Sequence, residues 1–114
     1  MQPTQIQPRL PVKNLPGSLA FYQKLFEGKL DVASHEDFAI LHTGGIGLQL
    51  VTASSAHPAG KFTIWIDSQG VAEFHERIKS DFEIEWGPEV YSYGRLEFSV
   101  LDPDGHSIIF SEPC

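Results

Sequence analysis

Apolar positions along the chain switch between two periods. From Leu96 to Phe110 the string LEFSVLDPDGHSIIF sets Leu96, Phe98 and Val100 against Glu97, Ser99 and Leu101, the two-residue alternation of a strand with unlike faces. Asp102-Pro103-Asp104-Gly105 follows, with proline presetting a turn angle, aspartates flanking it and glycine closing it. Ile108 and Phe110 then resume on one face, with Ser107, Ile109 and Ser111 on the other. The pattern predicts an antiparallel hairpin. At the other end, residues 5–12 read as a strand with Ile6, Leu10 and Val12 opposite Gln7 and Arg9, and Pro8 and Pro11 argue for an edge or a bulge. The period then lengthens. Leu15, Leu19, Tyr22 and Phe26 form one helical stripe, widened by Phe21 and Leu25, with Asn14 as cap, Pro16 in the first turn and Gly28 as stop.

Residues 30–51 read as three short strands, broken by His35-Glu36-Asp37 and Thr43-Gly44-Gly45, and residues 52–60 as a linker. After the linker the pattern restarts. Phe62, Ile64 and Ile66 alternate with Lys61, Thr63 and Trp65. A second helix capped by Asp67 or Ser68 carries Val71, Phe74 and Ile78 inward, with Glu73 and Arg77 as an exposed pair four apart. Residues 82–86 make a strand, Gly87-Pro88 a break and residues 91–94 an aromatic loop before the closing hairpin. The chain thus reads as strand, helix and three strands, written twice, an α+β arrangement of two βαβββ modules at about 5–55 and 60–112 within one domain, 1–114.

Composition narrows the partners. The formal charge of −7 opposes nucleic acid, whose phosphates ask for a basic surface, and permits a cationic ligand. No apolar run reaches the ~20 residues that span a bilayer. The N-terminal stretch shows neither a basic leader nor an apolar segment, so the cytoplasm is the expected compartment and no membrane partner is expected. Cys114 is the single cysteine, which excludes an intramolecular disulfide and a cysteine zinc site.

Val12-Lys13-Asn14-Leu15 followed by Phe21-Tyr22, and Asp102-Pro103-Asp104-Gly105 followed by Ile108-Ile109-Phe110, come in an order and at distances that resemble the glyoxalase/bleomycin-resistance/extradiol-dioxygenase superfamily, the vicinal oxygen chelate fold. The resemblance covers nearly the whole chain. It implies ligands for a divalent ion from four strands, at Gln7, Gln49, Lys61 and Ile109 here. A protonated lysine and an isoleucine cannot coordinate, and no carboxylate remains, so no metal and no cofactor are expected. A non-standard metal site using His42 and Glu97 is the alternative. His35, His57, His75 and His106 read as scattered surface histidines.

Gly87-Pro88, Tyr93-Gly94 and Glu97-Phe98 are similar to the C-terminal half of the bleomycin-resistance branch, except that tyrosines stand where that branch carries tryptophan. This likeness implies binding of a drug without catalysis, in clefts of a strand-exchanged homodimer, with Trp65 and Phe38 as ligand-stacking aromatics. The residue types point the same way. Trp65 lies opposite Phe62 and Ile64, His42 shares a face with Phe38 and Ile40, Glu97 shares one with Ser99, Tyr91 and Tyr93 flank the approach, and the resemblance adds Gln49; together they suit a flat aromatic or cationic small molecule. The expected function is metal-free sequestration of such a compound, in the manner of antibiotic resistance. The alternative is a metal-dependent glyoxalase- or dioxygenase-like enzyme with displaced ligands.

Overall fold

Asn14 stops the first strand and starts the first helix. Its side-chain oxygen accepts the Gly17 N–H at 3.0 Å, and Pro16 costs nothing in the first turn, where its missing donor would have no partner. The computed structural model describes all 114 residues, Met1–Cys114. They fall into two units, Met1–Gly60 and Lys61–Cys114. Each unit is a βαβββ module, so the chain is α+β with two modules in tandem.

The first module runs β1 (Arg9–Val12), α1 (Leu15–Leu25), β2 (Asp31–Ser34), β3 (Phe38–Thr43) and β4 (Ile46–Thr52). Its sheet has the order β1-β4-β3-β2, with β1 parallel to β4 and the other pairs antiparallel. Leu15, Tyr22 and Leu25 on α1 are buried, as are Leu10, Val12, Ala39, Leu41, Leu48 and Leu50 from the sheet. Each large side chain so buried contributes about 1.5–3 kcal/mol. Two boundaries differ from the sequence expectation. β1 begins at Arg9, because Pro8 offers only its carbonyl, to the Gln49 N–H, and Ile6 stands outside the strand with its side chain exposed. α1 ends at Leu25, and the chain turns on Glu27 (φ 58°) and Gly28 (φ 74°), so Gly28 completes the stop rather than beginning it.

The second module runs β5 (Thr63–Asp67), α2 (Val71–Ile78), β6 (Ile84–Tyr91), β7 (Arg95–Leu101) and β8 (Ser107–Pro113), in the order β5-β8-β7-β6 with β5 parallel to β8. α2 lies on β7 and β8, where Phe74 meets Phe110 edge-on at 4.9 Å and His75 meets Phe98 at 5.1 Å. Its cap is not Asp67 or Ser68. Gly70 takes the cap position in a left-handed conformation, and the carboxylate of Glu112 on β8 accepts the N–H groups of Gly70 (3.1 Å) and Val71 (2.8 Å). A negative charge from a distant strand therefore serves the positive helix end.

Gly87-Pro88 does not break the chain. This cis pair lies within β6, at an irregularity in its pairing with β7, and the strand continues to Tyr91. A Cβ at Gly87 would sit 2.4 Å from the Glu97 carbonyl oxygen, so only glycine lets β6 pass this close to β7. In the closing hairpin one Asp102 carboxylate oxygen accepts the N–H groups of Asp104 (2.9 Å) and His106 (2.8 Å). His106 is not a surface histidine. It is fully buried, and its Nδ1 accepts the Phe62 N–H at 3.0 Å. No helix is long and apolar enough to cross a membrane.

Candidate functional site

Ile64 and Ile66 turn toward the α2 side of the second sheet, which sends Thr63, Trp65 and Asp67 to the other face. Register places Ser111 beside Asp67 and opposite Glu97, and Ile109 beside Trp65 and opposite Ser99. The centre of this face is a buried carboxylate. Glu97 is 3% exposed, and both its oxygens are engaged. Oε2 accepts from Trp65 Nε1 at 3.0 Å and from Ser111 Oγ at 2.7 Å, while Oε1 accepts from the Tyr93 hydroxyl.

Burial alone would push the Glu97 carboxyl up. The three donors, from Tyr93, Ser111 and Trp65, together with the Arg95 charge, outweigh it and hold the group below its ordinary value. The reciprocal effect falls on the phenol. Its hydrogen bond to Glu97, then desolvation and the nearby negative charge, push Tyr93 up to about 12. Trp65 and Tyr93 are 48% and 63% exposed, so their polar atoms are tied down while their rings face outward.

Arg95 completes the group. Its guanidinium lies 4.7 Å from the Trp65 ring centre, donates through Nε to Ser111 Oγ at 2.6 Å, and forms an ion pair with Asp67. Beside it the aromatic surface continues: Tyr91 and Tyr93 are stacked at 5.8 Å, and Trp86 meets Tyr91 edge-on at 5.8 Å. Desolvation, then the charge and hydrogen bond of Glu89, raise Tyr91. A second carboxylate, Glu85, accepts the Ser99 and Ser107 hydroxyls at 2.8 Å each. Three aromatic rings of this sheet and a fourth, Tyr93, in its β6–β7 turn thus lie with Glu85, Glu89, Glu97 and Asp67 against Arg95, the single cation on the sheet's strands.

The other sequence-derived residues gather in the first module. Gln49 on β4 lies opposite Arg9 on β1, and its Oε1 accepts from Arg9 Nε at 2.9 Å. The Arg9 guanidinium lies 5.4 Å from the Phe38 ring centre, and the His35 ring stacks on Phe38 at 5.3 Å. Phe38 is therefore partly covered by its own module. His42 is exposed at the end of β3, opposite Gly47. Sequence reasoning missed Arg9, Arg95 and Ser111 as parts of these clusters, although strict alternation already set Arg9 beside Gln7 and Arg95 beside Glu97. A shallow groove of about 350 Å³ between α1 and the β2–β3 turn, lined by Leu15, Leu19, Gln23 and His35 among others, includes none of the aromatic residues named above.

The donors do not suit the ion that such folds hold. Gln49 donates its amide N–H to Gln7 Oε1 at 2.9 Å, Lys61 is a cation, Ile109 has no donor, and Gln49 and Ile109 lie beside Arg9 and Trp65 on the parallel strands. No three His, Cys, Asp or Glu side chains come together as a metal-holding group, and both Glu97 oxygens are taken by internal donors.

The sequence profile of the Glyoxalase/Bleomycin resistance protein/Dioxygenase superfamily matches residues 4–110, and the chain belongs to that superfamily. Among solved structures it is similar to a bleomycin resistance determinant encoded on the transposon Tn5 (23% identity, 97% of this chain and 98% of that one, TM-score 0.77). It is also similar to a bleomycin-binding protein complexed with bleomycin (22%, 98% and 100%, 0.75). A lactoylglutathione lyase from Agrobacterium tumefaciens shares the fold equally well (20%, 98% and 96%, 0.79). At these identities the likeness speaks for the fold. No curated protein matches the sequence.

Proposed function

We propose that this protein binds a flat small molecule carrying a cationic group, without a metal and without transforming it, and that a bleomycin-type antibiotic is the first compound to try. The observation that carries the reading is the Glu97 carboxylate holding the two outward-facing aromatics, Trp65 and Tyr93, by their polar atoms. Rings fixed in this way lose little freedom when a ligand stacks on them. The cluster also suggests a division of labour. Arg95 already covers the Trp65 ring with positive charge, so Trp65 suits a neutral heteroaromatic plane. The ring faces of Tyr91 and Tyr93, next to Glu89 and Glu97, suit the cation. Phe38, His42 and Gln49 are the proposed ligand contacts of the first module.

The proposed working form is a homodimer, because each sheet has a helix on one face only and its other face needs cover. A monomer mass in solution at micromolar concentration would contradict this. Fluorescence titration with bleomycin tests the binding site. Trp65→Ala should weaken binding at least about tenfold, about 1.4 kcal/mol, with the fold retained. Unchanged affinity in that variant would place the ligand elsewhere, and no binding by the wild type would remove the drug from the proposal. Stoichiometric zinc, nickel or iron surviving dialysis would overturn the metal-free part.

A further inference from the structure

Arg9 differs from the other cations whose partners are defined. Arg95 pairs with Asp67 and Lys79 with Glu76, as expected of a chain with fifteen carboxylates to eight basic residues. No carboxylate lies within ion-pair distance of Arg9, and all its partners are neutral or weakly basic. Nε donates to Gln49 Oε1 at 2.9 Å, Nη1 lies 3.4 Å from His57 Nε2, and Cζ lies 5.4 Å from the Phe38 ring centre. Gln49 in turn donates to Gln7 Oε1 at 2.9 Å, and Gln7 donates to Gln5 Oε1 at 2.9 Å. Three amides are aligned head to tail behind one guanidinium.

Such a relay polarises in one direction and stabilises the positive charge without cancelling it. Gly47 makes room for it. A Cβ there would fall 2.6 Å from Gln7 Cγ. The Nη2 group of Arg9 has no hydrogen-bond partner in the chain. A planar guanidinium that is held by stacking and by its Nε, with its outer edge open, is arranged for two-point recognition of an oxyanion.

We propose that Arg9, buttressed by Gln49 and Phe38 and flanked by His57, is a binding site for the terminal oxyanion of a small molecule, a carboxylate or a phosphate group. The site goes beyond the cationic-ligand reading above. It shares Phe38 and Gln49 with that reading but adds Arg9 and His57, and the decisive residue of that reading, Trp65, lies in the other module. An arriving anion would engage Nη1 and Nη2 together beside the His57 ring, which lies 3.4 Å from Nη1.

The test uses the full-length protein and the His57 imidazole resonances, at constant pH and at ionic strength held with chloride. Inorganic phosphate and acetate are titrated separately into wild type, Arg9→Gln and Arg9→Lys. The expected result is a saturable His57 shift in the wild type, weakened at least tenfold by Arg9→Gln and clearly weakened by Arg9→Lys, which keeps the charge but loses the fork and the stack. The resonances of the Tyr22 ring, fully buried in the first module, report that each variant is folded. Saturation by phosphate alone or by acetate alone supports the site and names the oxyanion, and saturation by both supports a general one. Saturation by neither overturns the proposal. So does equal affinity in Arg9→Gln or Arg9→Lys, since diffuse positive charge would then suffice.

Discussion

Replacing Glu97 with alanine removes one acceptor from three donors, and the cost can be worked out donor by donor. The Trp65 indole N–H and the Tyr93 hydroxyl belong to exposed side chains and can turn to water. Ser111 cannot. It is fully buried, and although its Oγ still accepts from Arg95, its own hydroxyl hydrogen is left without an acceptor, a loss of about 1–3 kcal/mol. With the lost attraction between Glu97 and Arg95, the sum is about 2–3 kcal/mol. For a urea slope of about 2–2.5 kcal/mol per molar, the midpoint should fall by about 1 M.

Glu97→Gln is the informative companion. Its carbonyl can serve Trp65 and Ser111, and the Tyr93 hydroxyl can rotate to accept from the new amide. The stability loss should therefore stay near about 1 kcal/mol. A cycle with Ser111→Ala should return a coupling of about 1 kcal/mol between the two positions. If Glu97→Ala lies within about 0.5 kcal/mol of wild type, the range of ordinary surface changes, the carboxylate does not organise this face. If glutamine costs as much as alanine, charge rather than hydrogen bonding is what the site needs.

Four further outcomes follow from the contacts described above. Tyr93 should stay protonated until about pH 12, against an ordinary phenol value of 10.0, and Glu97→Gln should return it toward 10, both read by phenolate absorbance; ionisation of all three tyrosines near 10 would refute the hydrogen bond. Because the Glu97 carboxyl is depressed below 4.5, its contribution to stability is complete above that pH and is lost as pH falls through the folded value; wild type should lose stability there more steeply than Glu97→Gln in acid urea melts. Glu112→Ala should cost about 1–2 kcal/mol, since two α2 N–H groups and the helix dipole lose their acceptor, whereas Gly87→Ala should cost about 2–4 kcal/mol through its positive φ and the clash with β7; equal, small losses would refute both assignments.

Much of the fold was legible because both periods are clean. Tyr22, Phe98 and Ile108 sit where the alternation or the helical stripe places them, and each is buried. What escaped had no local signal. The cap of α2 comes from Glu112, about forty residues along the chain, while Asp67 and Ser68 offered plausible side chains nearer by. Gly87-Pro88 reads as a break in sequence, yet cross-strand pairing carries β6 through it. His106 reads as a turn residue until the strand order gives it the Phe62 N–H.

The site was legible in its residue types and illegible in its connections. Trp65, Tyr93 and Glu97 could each be put on a strand face, but one carboxylate serving both rings depends on register. Arg9 and Arg95 carry no local mark of their role, since a cation on a strand face reads as a solvated charge until the register sets it against a ring. Each turned out to lie over an aromatic ring.

The strand order β5-β8-β7-β6 has a consequence for how the second module is made. β5 has a single neighbour, β8, and β8 is the last of the module's strands to leave the ribosome. Until it arrives, β5 has no strand to pair with and the first turn of α2 lacks the carboxylate that caps it. Vectorial synthesis can therefore pair β6 with β7 early, but β5 joins the sheet only in a late event. A nascent chain halted before Ser107 would present β5 and the β6–β7 pair as separate sticky edges, so premature termination there would yield a template for aggregation rather than a shortened protein.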